Sequence, residues 1–291
     1  MKRSNFNYKL ISALVLLIII SLYLVFLEPQ STVEEDFADA EVIVHFIDVG
    51  QGDCAVIQSQ EGNILIDAGT YKDVESMIEY IDSLGITTFD YAIFTHPHSD
   101  HIGGAATVLS NYDISNVILP SAVNTSATFE KMITAIENEN CEVVEGKAGV
   151  SFTFGELYVD ILAPVFDNYK DLNNTSVVSK ITYGEVSFLF TGDAEELSEL
   201  AMLNRDITAL DSTVLKVGHH GSSTSSCEEF ILAVSPEVAV YSCGRNNDYG
   251  HPHMETLARI NGTGAFSYRT DESGTVVVIT DGHTYEVKTE K

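Results

Sequence analysis

Six consecutive residues, His96-Pro97-His98-Ser99-Asp100-His101, bring three imidazoles and a carboxylate within reach of one another. Ligand-type side chains at this density repel or go unpaired without a cation, so the stretch reads as a nest of metal ligands. The alternative for the same residues is a polar turn whose histidines only cap the next helix. One more cluster precedes it and two follow: Asp67 in Ile66-Asp67-Ala68-Gly69, then Asp193 in Thr191-Gly192-Asp193 and His219-His220 in Gly218-His219-His220-Gly221. Asp67 alone would serve a turn, and Asp193 alone would cap a helix. Four such clusters in order are harder to explain that way.

Each cluster closes an apolar run. Tyr91-Ala92-Ile93-Phe94-Thr95 precedes the nest, Asn63 to Ile66 precedes Asp67, Val186 to Phe190 precedes Asp193, and Ser212 to Val217 precedes the paired histidines. These runs read as strands. Further strands are expected at 42–48, 55–57, 115–119, 157–162, 176–183 and 237–242, with a terminal hairpin over 275–288. The residues Val49-Gly50-Gln51-Gly52-Asp53 form a glycine-rich hairpin connection. Helical spacing covers 73–84, where Val74, Met77, Ile78, Ile81 and Leu84 share a face, and recurs after Ile102 and at 126–138, 195–203, 227–234 and 253–260. Two batches of strands interleaved with helices predict an α/β chain built as a four-layer αββα sandwich. In such folds the strand ends converge on one rim, where ligands bind.

The chain has 291 residues, 45% of them hydrophobic, enough for one large core. Its N-terminus is set apart: Lys2, Arg3 and Lys9 precede Leu10 to Leu27, an uncharged apolar stretch of spanning length, and Glu28, Glu34, Glu35 and Asp36 follow. Residues 1–27 are therefore expected to form one N-terminal hydrophobic helix, an uncleaved signal anchor or a removed signal peptide. Residues 28–40 form an acidic linker, and 41–291 the globular domain. That orientation exports the domain, which is either anchored to the cell membrane facing outward or secreted. The cysteines, Cys54, Cys141, Cys227 and Cys243, lack C-x-x-C spacing and read as small apolar thiols, although export would permit a disulfide. The net charge of −28, from 43 acidic against 15 basic residues, excludes tight sequence-independent wrapping of nucleic acid. It leaves room for a local cationic site, near which Lys216, Arg245 and Arg269 fall.

In their order and spacing, Asp67, the 96–101 nest, Thr191-Gly192-Asp193 and Gly218-His219-His220-Gly221-Ser222 resemble the successive motifs of the metallo-β-lactamase superfamily. Within it, Asp48-Val49-Gly50-Gln51-Gly52-Asp53, Asn173-Asn174-Thr175-Ser176-Val177-Val178, Lys216 to Ser222 and Tyr249-Gly250-His251-Pro252-His253 resemble the hydrolase domain of ComEC competence proteins. The resemblance implies a binuclear hydrolase over residue 42 to the end. His96 and His98 would hold the first metal, Asp100 and His101 the second, with Asp193 bridging, His219 completing the second, and Asp67 orienting a ligand histidine. The family pattern calls for a histidine where this chain has Asn173 and Asn174. The first metal is then one ligand short, held through Asn174 or water and partly occupied.

Mixed nitrogen and oxygen ligands fit two divalent ions, zinc or manganese. Such a pair lowers the pKa of a shared water and stabilises charge on the attacked centre and the leaving oxygen, which suits a phosphodiester. Beside the ligand Asp100, His220, His251 and His253 are candidates to contact a phosphoryl oxygen or protonate the leaving group. Asp48 and Asp53 either shape the rim or stabilise the hairpin, and Arg245 either meets substrate or stays solvated. The expected activity is metal-dependent phosphodiester hydrolysis, by a nuclease that binds nucleic acid without tight affinity or by a hydrolase of cell-envelope choline or teichoic-acid esters. β-Lactam hydrolysis and a non-catalytic metal-binding module are the remaining readings.

Overall fold

In the computed structural model, residues 42–291 are described; the N-terminal hydrophobic helix and the acidic linker expected before them lie outside the described residues. Strands β1 (Val42–Phe46), β2 (Ala55–Ser59), β3 (Asn63–Ile66), β4 (Thr88–Ile93), β5 (Asp113–Leu119) and β6 (Glu142–Glu145) come first. Then follow β7 (Ser151–Phe154), β8 (Leu157–Ala163), β9 (Val178–Tyr183), β10 (Val186–Phe190), β11 (Val214–Lys216), β12 (Val238–Tyr241) and β13 (Phe266–Arg269), and last β14 (Val276–Thr280) and β15 (Tyr285–Thr289). One sheet runs β15-β14-β1-β2-β3-β4-β5-β6 and the other β13-β12-β11-β10-β9-β8-β7.

The period-2 alternation of the strands decides the layering. On β1, Val42, Val44 and Phe46 point between the sheets, where they meet Phe188, Phe190, Val214 and Val238. Phe46 stacks on Phe190 with ring centroids 5.6 Å apart. The opposite faces are closed by helices. Val74–Ser83, Ala105–Asn111 and Ala127–Asn138 lay Met77, Ile81, Val108 and Met132 on Val56, Leu65, Ala92 and Val117. On the second sheet, Glu196–Asp206, Glu228–Val234 and Met254–Thr263 lay Met202, Phe230, Val234 and Ile260 on Leu189, Leu215 and Ala239. Each such buried side chain contributes about 1.5–3 kcal/mol. The result is the expected αββα order. Among the described residues no helix is long and apolar enough to cross a membrane.

Both sheets change from antiparallel to parallel pairing partway across. Strands β3 to β6 are parallel, and so are β10 to β13. The strand ends of these parallel blocks carry the polar clusters. Three strands escaped the sequence reading, β6, β7 and β13, and all three lie at sheet edges. An edge strand covers little of the core, so its sequence lacks an apolar run: Glu142 and Val143 of β6 are exposed.

Candidate metal centre

Asp67 ends β3 in the left-handed region, φ 57°, and is fully buried. Its Oδ1 accepts the Thr95 backbone N–H at 2.8 Å, and Oδ2 accepts the Thr95 hydroxyl at 2.7 Å and His101 Nδ1–H at 2.7 Å. Burial pushes this carboxyl up, partly offset by His101. Because the Thr95 hydroxyl is spent on Asp67, its oxygen is left to accept from His96 Nδ1, 3.2 Å away. His220 is fixed the same way, its Nδ1 donating to the Ser242 carbonyl at 2.9 Å. Three buried histidines thus have Nδ1–H tied to protein and Nε2 turned inward, the arrangement that fixes ligand tautomers at metal sites.

Those inward nitrogens gather around Asp193, buried at the end of β10. Its Oδ1 lies 3.1 Å from His101 Nε2 and 3.6 Å from His220 Nε2. Its Oδ2 lies 3.7 Å from His96 Nε2 and 3.7 Å from His219 Nε2. Ligand atoms of Asp100, His101, Asp193 and His220 all fall within 4.8 Å of one another, and those of His96, His98 and Asp193 form a second such group. His101 Nε2 and Asp193 Oδ1 are buried without a hydrogen-bond partner despite their closeness. A lone pair facing a carboxylate in a dry site is what a cation resolves, so the residues present fit metal binding.

The paired histidines are placed differently from the expectation. His220, not His219, stands beside Asp100, with Nε2 3.3 Å from its Oδ2. His219 faces the other oxygen of Asp193, and its Nδ1 lies 3.1 Å from the Thr224 hydroxyl. The cause is local backbone: both residues are left-handed, φ 49° and 55°. Two successive residues in that sparsely populated region splay adjacent side chains apart, which spacing alone does not reveal.

Beneath the cluster, Asp53 pairs with the buried Lys216 ammonium at 2.7 Å and sits 3.1 Å from His220 Nδ1. Burial would raise the Asp53 carboxyl, but Lys216, His220 and His101 hold it down at about 2. The turn carrying Asp53 packs directly under the nest; a Cβ at Gly52 would come within 2.4 Å of the Asp100 carbonyl. Burial opposes ionisation of Asp193 and Asp100 as well, yet the surrounding imidazoles hold both below the usual carboxylate range. Against desolvation, Asp193, Asp67 and Asp53 push His101 well above its ordinary value, and Asp193 and Asp53 push His220 up to about 10, so a proton and a cation compete for each Nε2 lone pair. Four carboxylates draw positive charge into this pocket.

Asn174 is not among the ligands. Its Nδ2 donates to Glu195 at 3.1 Å and its Oδ1 accepts the Ser198 N–H at 3.1 Å, so the amide is spent anchoring helix Glu196–Asp206. Asp48 also stands apart: its Oδ1 accepts the Gly50 N–H at 3.2 Å and its Oδ2 lies 3.7 Å from Lys291, the hairpin-stabilising role. His253 has both nitrogens engaged, Nδ1 accepting from Ser223 N–H at 2.9 Å and Nε2 donating to the Tyr249 carbonyl at 3.1 Å, so it ties two loops together. Arg245 is exposed, and Arg269 is taken by Asp271 at 2.7 Å.

His251 does reach the site. It lines a cleft of about 310 Å³ with His98, Asp100, Asp193, His219 and His220. Burial, with His220 and His219 nearby, lowers its imidazole to about 4. Gln51 and Tyr249 line the same cleft without having been singled out; Asn173, which stands where the family pattern calls for a histidine, lines it too. The usable signal for Gln51 and Tyr249 was membership of the 48–53 and 249–253 motifs. Thr95 and Glu195 were also missed, though each lies within two residues of a ligand-type side chain. All four cysteines are free thiols. A larger groove of about 690 Å³ between Ala105–Asn111 and Ala127–Asn138 holds none of the clustered histidines.

The family described as the metallo-beta-lactamase superfamily matches residues 47–245. ComE operon protein 3 of Bacillus subtilis (strain 168) is 32% identical over 251 residues, 80% of this chain and 32% of that protein. Recombination protein 2 of Haemophilus influenzae is 33% identical over 240 residues, 81% of this chain and 28% of that protein. Competence protein ComA of Neisseria gonorrhoeae is 30% identical over 241 residues, 82% of this chain and 32% of that protein. The chain spans about a third of the length of these relatives. Among solved structures, the metallo-beta-lactamase fold protein YhfI from Bacillus subtilis superposes with TM-score 0.55 at 12% identity, covering 81% of this chain and 99% of that one. CmlA, a diiron beta-hydroxylase from Streptomyces venezuelae, gives TM-score 0.55 at 14% identity, covering 86% and 54%. These two likenesses speak to fold alone.

Proposed function

The chain belongs to the metallo-β-lactamase superfamily, and on that footing we propose that it is a metal-dependent phosphodiesterase. The observation that carries the reading is Asp193, whose two oxygens face two separate groups of ligand atoms. Asp100, His101 and His220 would hold one divalent ion, His96 and His98 the other, with Asp193 shared and His219 near the second group. Bound there, zinc or manganese would supply an acidified water and charge stabilisation for a phosphoryl centre. The protein's own part is positional. Asp67, Thr95 and the Ser242 carbonyl hold three imidazoles in one tautomer. His251, whose Nδ1 lies 3.4 Å from the Gln51 amide, keeps Nε2 for a phosphoryl oxygen or the leaving group.

The names of the curated relatives, with their competence and recombination terms, favour a nucleic-acid phosphodiester as substrate. The net charge of −28 favours cell-envelope phosphodiesters, which require no polyanion-binding surface. In either case the domain works outside the cytoplasm, tethered through residues 1–27 or released from them. Metal analysis of residues 41–291 alongside hydrolysis of bis(p-nitrophenyl) phosphate, DNA and nitrocefin separates these readings. Asp100→Ala is expected to reduce phosphodiester turnover by about ten- to a hundredfold, in line with the loss of a metal ligand or its partner. Unchanged turnover in that variant would sink the mechanism.

A further inference from the structure

Three rings lead outward from the metal centre. His251 lies nearly parallel to His220, with centroids 6.1 Å apart at 27°. Tyr249 lies nearly parallel to His251, with centroids 5.5 Å apart at 22°. His220 is buried and faces Asp100 and Asp193, while Tyr249 is 66% exposed at the mouth of the same cleft. One face of Tyr249 is therefore occupied by His251, and its remainder is open to solvent. Single exposed aromatics are ordinary on a protein surface, and Tyr71 at 73% is another; Tyr249 differs in lining the cleft of the clustered histidines with its ring stacked on His251.

The chain has little positive charge to spend on an anion outside the metal centre, with 15 basic residues against 43 acidic ones. Arg245, the basic side chain nearest in sequence, is exposed, and the molecule as a whole is strongly acidic. A ligand with an anionic group at the metals then gains from contacts that need no cationic side chain. Stacking supplies one, because an aromatic ring accepts any planar π-system without regard to charge.

We propose that Tyr249 is the stacking platform of a substrate subsite, which takes a planar heterocycle attached to the phosphodiester whose phosphorus lies at the metal centre. The class this fits is a nucleoside phosphodiester, and Tyr249 is its specificity-determining residue. The inference rests on the phosphodiesterase reading for the placement of phosphorus, while the platform itself rests on the ring geometry. It also reconciles a nucleotide substrate with an acidic surface, since the metals and one ring do the work that a basic groove does elsewhere.

Two substrates sharing one leaving group isolate the effect: the p-nitrophenyl ester of thymidine 5′-phosphate, and methyl p-nitrophenyl phosphate. With the metal-loaded protein, the thymidine ester is expected to show about tenfold the lower KM. Tyr249→Ala is expected to erase that preference, and Tyr249→Phe, which keeps the ring, to restore it. Titration calorimetry with thymidine 5′-phosphate against glycerol 3-phosphate gives the same comparison without turnover. Hydrolysis of neither ester overturns the phosphodiesterase reading, and the calorimetry then decides the platform alone. Equal KM values for the two esters, equal affinities for the two monophosphates, or a preference that survives Tyr249→Ala, would each overturn the platform.

Discussion

At the scale of single residues, the order of His219 and His220 matters most. The left-handed backbone sends His220 to the Asp100 and His101 group and His219 toward the outer oxygen of Asp193. His220→Ala is therefore expected to remove about one equivalent of bound metal, with at least a tenfold rise in its Kd, and His219→Ala to weaken only the other equivalent. Metal titration of both variants checks this, and the reverse pattern would restore the assignment that spacing alone suggests. Lys216 makes a separate case. Its ammonium is the closest cationic partner of the buried Asp53 carboxylate, so Lys216→Met leaves only the His220 and His101 imidazoles beside that charge and is expected to cost about 3 kcal/mol in urea melts. Adding Asp53→Asn to that variant should return much of the loss. If the double variant is no more stable than the single one, the charge pairing is not what Lys216 provides.

At the scale of elements, helix Glu196–Asp206 sends Glu199 under the start of helix Glu228–Val234, where its carboxylate accepts the Ser226 and Cys227 N–H groups. Burial raises this carboxyl from 4.5 to about 7, against the pull of those two hydrogen bonds. The folded chain thus binds the Glu199 proton more tightly than the unfolded chain does. Its contribution to stability is fully present below about pH 4.5 and is lost as pH rises to about 7, a change on the order of a few kcal/mol. Glu199→Gln should narrow the stability difference between pH 5 and pH 8, and an unaltered difference would remove Glu199 as its source. Elements also set what could be read in advance. Core strands such as β3, β4 and β10 announce themselves as apolar runs ending in ligand-type residues, whereas the edge strands β6, β7 and β13 bury too little to leave a pattern. In the site, the 96–101 nest and Asp193 were legible by type and spacing. The fate of Asn174 was not, because its partners Glu195 and Ser198 come from another element, and no local pattern predicts such a contact.

For the molecule as a whole, the clustered ligands join the two halves of the sandwich. Asp67 and the 96–101 nest leave the eight-stranded sheet after β3 and β4, while Asp193 and His220 leave the seven-stranded sheet after β10 and β11. Apolar contacts hold the sheets together along their length, but at this rim the facing groups are imidazoles and carboxylates, Asp193 against His96 and His101 and His220 against Asp100. A cation held by Asp193 and the nest would link the sheets where the apolar core does not reach, so that metal occupancy would become folding stability. At a free metal concentration a thousandfold above Kd, the gain is about 4 kcal/mol, which for a domain of this size raises Tm by roughly 10 °C. Chelator-treated protein should melt lower by that amount, and Asp193→Asn, which weakens the shared ligand, should lose most of the difference. Asp48→Asn, remote from the cluster, should keep it. Coincident melting curves with and without saturating metal would show that the ligands do not tie the sheets together, whatever they bind.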